Sequence, residues 1–260
     1  MCQRWRSLVF ESPRHLNLQL CCYGPGRSTR NSLDALPALP LLINGCVTED
    51  LVDHFIPGLE RRICQIRLLG SRVTLQFEKL WRAMEVPFLE LIYLRLEHGL
   101  SYTMPVIPDS FLGGSAPRLR HLYLNETPFL GLPKLLLSAT HLINLRLITI
   151  PYARFISPEV MAACFSVLTS LEYLQLEFET PQSRPDPKTQ SQFPLIRPLI
   201  PTLAIFWFKG MIGYLWEFVA QIDAPQLCLL STTFSNDIDI KASELNQFIS
   251  CTPTLTAYCI

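Results

Sequence analysis

A short leucine frame, L-x-x-L-x-L, recurs along the chain and constrains the fold more than any other feature. Clear copies occupy residues 91–96, 119–124, 142–147 and 171–176, with starts 28, 23 and 29 residues apart. Less regular copies begin at Ile63, Leu203 and Leu255. Alternate side chains of a strand share a face, so the second and third leucines of each frame point one way and their neighbours the other.

These spacings fall in the period range of leucine-rich repeats, in which a strand is followed by a helix or turn. One such strand cannot bury its leucines alone, whereas stacked neighbours form a continuous core. The sequence therefore predicts an α/β leucine-rich-repeat solenoid: a curved parallel sheet with helices and loops on its convex side. The pattern predicts convex-side helices at 75–84 and 133–138. It predicts another that starts after Ser157, with Val160, Met161, Cys164, Phe165 and Leu168 on its buried side.

Composition excludes several classes of protein. The chain has 260 residues, no net charge, 49% hydrophobic residues and 17% charged residues, which is typical of a packed chain rather than a disordered one. Zero net charge argues against a protein built to bind nucleic acid. We find neither a secretory signal nor an apolar run of membrane-spanning length. A monomer that acts through protein partners is the expectation.

The polar motifs predict neither a metal site nor an enzyme. The nine cysteines are scattered and form no C-x-x-C pair, which indicates reduced thiols in the cytosol or nucleus. The five histidines show no metal-binding spacing, and no nucleophile elbow or phosphate loop occurs. We expect no cofactor and no catalysis, although a nucleophile and base distant in sequence stay open as an alternative.

The N-terminal segment resembles a known family. Residues 2–20, CQRWRSLVFESPRHLNLQL, resemble the last helix of an F-box and its exit into the first leucine-rich strand. The segments PDSFLGGSAPRLR from Pro108, GLPKLLLSATHL from Gly131 and FWFKG from Phe206 are similar to those of fungal F-box proteins with leucine-rich tails. This resemblance covers essentially the whole chain. It implies the substrate-binding part of an F-box subunit of a cullin–RING (SCF-type) ubiquitin ligase.

The chain departs from that family at its start. An F-box begins with a Leu-Pro-x-Glu-type segment and two further helices that make most of the contact with the Skp adaptor, and these do not precede Met1. Either the sequence is truncated, or this member has lost adaptor binding and is an interaction scaffold. Trp5, Leu8 and Val9 would form an adaptor-binding remnant or, as we favour, a cap on the repeats.

Two regions are therefore expected. Residues 1–15 are the remnant of the last F-box helix and act as an N-terminal cap. Residues 16–260 are the leucine-rich-repeat domain, interrupted by a proline-rich loop at 181–201 that is too polar to pack a core.

The candidate binding site is the set of frame residues that point away from the core, onto the concave face. Aromatic residues and arginine, which are enriched at interface hot spots, are frequent among them. Strands favour exposed aromatic residues in any case, so a merely solvated surface is the alternative. The predicted partner-binding residues are Arg67, Tyr93, Arg95, His121, Tyr123, Asn144, Arg146, Tyr173, Gln175 and Trp207.

Overall fold

The computed structural model describes residues 18–22, 39–49, 51–56, 58–70, 74–98, 106–151, 156–179, 197–235, 248, 252 and 256–259. Within these ranges ten strands form one parallel sheet whose spatial order is the chain order. The strands are β1 (Leu18–Cys22), β2 (Leu41–Cys46), β3 (Ile63–Leu69), β4 (Tyr93–Glu97), β5 (His121–Asn125), β6 (Asn144–Ile150), β7 (Tyr173–Phe178), β8 (Ile205–Gly210), β9 (Leu229–Phe234) and β10 (Thr256–Cys259). The predicted α/β class with a parallel sheet is confirmed.

The register of the sheet follows the leucine frame. Leu94 pairs with Leu122, Leu122 with Leu145, and Leu145 with Leu174. Phe206 continues this row on β8. Each of these side chains is at most 1% exposed. Equivalent apolar side chains of successive frames therefore form one buried row, and a slip of one residue would turn this whole set toward solvent.

The connections between strands contain short helices. In the described residues these are a π-helical turn (Leu51–Phe55), α1 (Thr74–Ala83), a 3₁₀ turn (Phe111–Gly114), α2 (Leu132–Ser138), α3 (Pro158–Phe165) and α4 (Ile212–Val219). Their buried residues join the leucine rows in a single hydrophobic core. Helix α2 contacts α3, and α3 contacts α4, so neighbouring connections stack as the strands do.

Local signals in the sequence explain where α3 begins. Ser157 has an extended backbone, and its hydroxyl accepts a hydrogen bond from the Val160 backbone N–H at 3.4 Å. Pro158 follows at the first helical position, where a missing N–H costs nothing. The predicted start of this helix after Ser157 is thus confirmed. The prediction that Val160 is buried is wrong, since its side chain is 43% exposed and lies on the solvent side of the helix.

The predicted proline-rich loop is shorter than expected at its C-terminal end. Residues 180–196 lie outside the described part of the chain. Leu199, however, forms a parallel bridge with Asp223, and Ile200 is fully buried. The Ile200 N–H also donates to the Asp223 carbonyl at 2.8 Å. Residues 197–201 therefore belong to the packed structure, because Ile200 adds an apolar side chain to the core.

A strained turn closes the connection between β4 and β5. Leu112 and Gly113 have left-handed backbones, with φ of 56° and 65°. Leu112 is fully buried, and its N–H donates to the Met84 carbonyl at 2.6 Å. A side chain at Gly113 would bring its Cβ within 2.7 Å of Pro87 Cγ. The turn thus requires glycine at 113, while burial of the leucine side chain offsets the strain at 112.

Candidate partner-binding face

The side of the sheet opposite the core carries the third and fifth residues of each six-residue frame and the residue that follows the frame, which we number as its seventh position. We call this side the polar face. The register sets the third positions side by side in one column and the fifth positions in a second. The first column holds Gln65, Tyr93, His121, Asn144 and Tyr173, and the second Arg67, Arg95, Tyr123, Arg146, Gln175 and Trp207. All of them are half-buried or exposed. The structure thus brings the ten predicted partner-binding residues together on one surface.

Three arginines of the second column place their guanidinium groups over tyrosine rings of the next strand. The guanidinium carbon of Arg67 is 4.5 Å from the centre of the Tyr93 ring. Arg95 lies 4.5 Å from the Tyr123 ring. A third pair, Arg146 over Tyr173, is separated by 4.3 Å. Such cation–π contacts hold a long side chain in place and leave the N–H groups at the edge of the guanidinium available.

The three arginines differ in their other partners. Arg95 forms an ion pair with Glu97, which lies two residues further along the same strand. Arg146 Nε donates to Asn144 Oδ1 at 3.3 Å, so its partner is neutral. Neither Arg67 nor Arg146 pairs with a carboxylate among the residues that the structure describes. Arg67 and Arg146 therefore present guanidinium groups without an ion-pair partner among the described residues of the polar face.

A hydrogen-bonded chain continues along β7. The Tyr173 hydroxyl donates to Gln175 Oε1 at 3.1 Å, and Gln175 Nε2 donates to Glu177 Oε1 at 2.5 Å. The Tyr93 and His121 rings lie 5.7 Å apart across β4 and β5. These contacts fix side chains of the polar face before any partner arrives.

Burial changes the acid–base behaviour of this surface. It lowers the pKa of the His121 imidazole, and the neighbouring Arg120 acts in the same direction. Burial raises the pKa of the Tyr123 and Tyr173 phenols. Because these shifts disfavour the charged forms, the tyrosines stay neutral hydrogen-bonding groups and His121 resists protonation.

Two carboxylates that matter for this face are absent from the predicted site. Glu97 neutralises Arg95, and Glu177 orients Gln175. Both occupy the seventh frame position, two residues after the group they contact. Alternation already places Glu97 and Glu177 among the outward residues, and their spacing of two from Arg95 and Gln175 could have identified them as contact partners.

Features of the described residues also bear on a metal site, a ligand pocket and a membrane span. Among them, no three His, Cys, Asp or Glu side chains are grouped so that they could hold a metal ion. An apolar hollow beside β5 and β6 is lined chiefly by aliphatic and aromatic side chains, such as Leu124, Phe129, Leu132 and Leu147. No helix in the described ranges has the length and apolar character needed to cross a membrane.

The predicted adaptor-binding remnant, Trp5, Leu8 and Val9, lies outside the described residues, as does the whole predicted cap at 1–15.

Comparison with known proteins adds no assignment. No protein-family model matches the chain, and a search of the curated proteins finds no similar sequence. The candidate site is therefore defined by its own geometry.

Proposed function

We propose that this chain is a leucine-rich-repeat solenoid that acts as a protein-recognition module and binds its target on the polar face. The observation that carries the proposal is the set of three Arg–Tyr pairs, Arg67–Tyr93, Arg95–Tyr123 and Arg146–Tyr173. They occupy adjacent strands on the face that the helices leave uncovered. Ordering these side chains in advance lowers the entropic cost of binding.

The repeat assignment is supported by strand order and periodicity together. Each strand pairs with the strand before it and the strand after it in the chain, and the buried leucines align from strand to strand. Structural units that contact only their neighbours are the defining property of repeat proteins.

The wider role that we propose is the substrate-binding part of an F-box subunit of an SCF-type cullin–RING ubiquitin ligase, in the cytosol or nucleus. Support comes from the resemblance of residues 2–20 and of the FWFKG segment to fungal F-box proteins. The mechanism would be positional: the polar face would hold a target near a ubiquitin-loaded enzyme, and the chain itself would make no covalent bond. We propose no enzymatic activity and no cofactor.

The alternative role is an interaction scaffold that has lost ligase binding. A pull-down with the Skp adaptor separates the two roles. Retention by the present chain supports the ligase role, and retention only after upstream coding sequence is restored indicates truncation. If neither form is retained, the scaffold role stands.

Target binding itself is tested by substitution on the polar face. Proteins retained by the immobilised chain from a cell extract would be identified, and their affinity measured for the wild type and for the variant Tyr123→Ala/Arg146→Ala. We expect weaker binding with an unchanged circular dichroism spectrum, because both side chains point away from the core. Val160→Ala, on an exposed helix surface, is the matched control. Equal affinity for all three proteins would exclude the polar face as the binding site.

A further inference from the structure

Charge is unevenly distributed along the second column of the polar face. Arg67 and Arg146 stack on tyrosine rings and have no carboxylate partner among the described residues, whereas Arg95, between them, is paired with Glu97. The stacked guanidinium groups keep edge N–H donors that suit a carboxylate. The face thus offers two anion-binding positions separated by a neutral stretch.

Resting on the proposed function, we infer that the polar face binds an extended acidic segment of its protein target. This segment crosses the strands and carries two Asp or Glu side chains four residues apart. One carboxylate contacts Arg67 and the other contacts Arg146.

The spacing follows from the register. Arg67, Arg95, Tyr123 and Arg146 stand on four successive strands, so the outer two are three strand spacings apart. With about 4.8 Å per strand this is roughly 14 Å. An extended chain advances about 3.4 Å per residue, so four residues also cover roughly 14 Å, and the side chains of residues i and i+4 project from the same side.

Residue i+2 of the proposed acidic segment should itself be uncharged. Residue i+2 would lie over Arg95 and Tyr123, where Glu97 already supplies a carboxylate. A third acidic side chain there would be repelled by Glu97, whereas an uncharged apolar side chain could pack beside the Arg95–Tyr123 pair. The expected pattern is acidic, any, apolar, any, acidic.

The probe is a random 12-residue peptide library displayed on phage and selected against the intact chain. We expect enrichment of Asp or Glu at i and i+4 with an uncharged residue at i+2. The most enriched peptide would then be synthesised, and its affinity measured by fluorescence anisotropy at low and high salt. Replacing either acidic residue by Gln should weaken binding about tenfold, and added salt should weaken the parent peptide more than its Gln forms.

Matched variants of the protein complete the experiment. Arg67→Gln and Arg146→Gln should each weaken the acidic peptide about tenfold, because each removes one charge-assisted contact. Arg118→Gln is the control: Arg118 is exposed, lies outside the polar face and already has an ion-pair partner in Glu90. It should change affinity less than about threefold.

The outcomes separate this inference from the proposed function. Enriched peptides that lack the acidic pair but lose affinity for Tyr123→Ala/Trp207→Ala would overturn the acidic-segment inference and leave the polar face as a binding site. Acidic peptides that bind all three arginine variants equally would also overturn the inference. If no peptide is enriched above an unrelated control protein, the inference is wrong, and the extract experiment decides the proposed function separately.

Discussion

Arg146 and Tyr173 are in contact across two neighbouring strands, with the guanidinium carbon 4.3 Å from the ring centre. The tyrosine lies one strand further on and belongs to the first column, whereas the arginine belongs to the second. Arg67 and Tyr93 repeat this diagonal arrangement three strands earlier. Such contacts tie adjacent strands together on the surface, in addition to the backbone hydrogen bonds and the buried leucines.

The contribution of the Arg146–Tyr173 ring contact to stability can be separated from the contribution of the Tyr173 hydroxyl group. Tyr173→Phe keeps the ring under Arg146 and removes the hydrogen bond to Gln175, and we expect it to lower the free energy of unfolding by less than about 1 kcal/mol. Tyr173→Ala removes the ring as well and should lower it by roughly 1 kcal/mol more. Urea denaturation followed by circular dichroism measures both changes. Equal losses in the two variants would show that the ring contact contributes nothing.

Leu122→Asp should disrupt the array around β5. Leu122 is 1% exposed and lies between Leu94 and Leu145 in the buried row, so the substitution places an unpaired charge in the core. We expect a loss of more than about 4 kcal/mol, seen as partial unfolding and faster proteolysis. Asn144→Asp is the matched control, since it adds the same charge on the polar face beside Arg146. Similar proteolysis of the two variants would contradict the assignment of inward and outward positions.

Gly113→Ala tests the strained turn before β5. The backbone there has φ of 65°, and the new Cβ would lie 2.7 Å from Pro87 Cγ. We expect a loss of about 1–3 kcal/mol from strain and steric overlap. Ser115→Ala, in ordinary extended backbone two residues later, should stay within about 0.5 kcal/mol of the wild type. Thermal denaturation of both variants provides the comparison, and equal melting temperatures would mean that the turn adjusts without cost.

His121 should make stability dependent on pH. Its folded-state pKa lies below the ordinary value because of burial and Arg120, while Glu172 opposes the shift. The unfolded chain therefore takes up more protons, and the stability contributed by neutral His121 is lost as pH falls through about 6.5 toward the folded pKa. We expect His121→Asn to flatten the dependence of unfolding free energy on pH between about 7.5 and 5.5. Parallel profiles for wild type and variant would assign that dependence to other groups.

The cysteines should differ sharply in reactivity. Burial raises the pKa of Cys164 to about 11, and its side chain is 2% exposed, whereas Cys228 is exposed. Since the thiolate is the reactive species, iodoacetamide at pH 8 should modify Cys228 quickly and Cys164 only after unfolding. Peptide mass spectrometry with and without guanidinium chloride measures this. Rapid native labelling of Cys164 would show that α3 opens readily from the core.

Much of the sheet follows from the sequence because its signal is periodic. A leucine at the fourth and sixth frame positions predicts two buried side chains, and Leu94, Leu122 and Leu145 are buried accordingly. The same alternation predicts the outward set that includes Arg67 and Tyr123. The periodicity does not predict which side chains of neighbouring strands contact each other. Whether Arg95 stacks on Tyr123 or pairs with Glu97 depends on side-chain directions, and in the structure it does both.

Other differences have local causes. Strand β9 begins at Leu229 rather than at the apolar residue Leu227, since the Leu227 N–H donates to the Ala224 carbonyl in the preceding turn. His98, which no motif singles out, is 6% exposed and packs its ring 4.9 Å from that of Phe77. His98 follows β4 and continues the inward parity of Leu94 and Leu96, so alternation points it toward the core, although histidine is not a typical core residue.

Because the strands follow one another in the sheet in the same order as in the chain, strands can be added or removed without changing how the others are connected. A duplicated or deleted unit between β4 and β6 would leave every remaining strand with a suitable neighbour, yet it would insert or remove one row between Arg67 and Arg146. Genetic gain or loss of a unit would then change the distance between Arg67 and Arg146 in steps of one strand, and with it the spacing of acidic side chains that we propose the polar face binds.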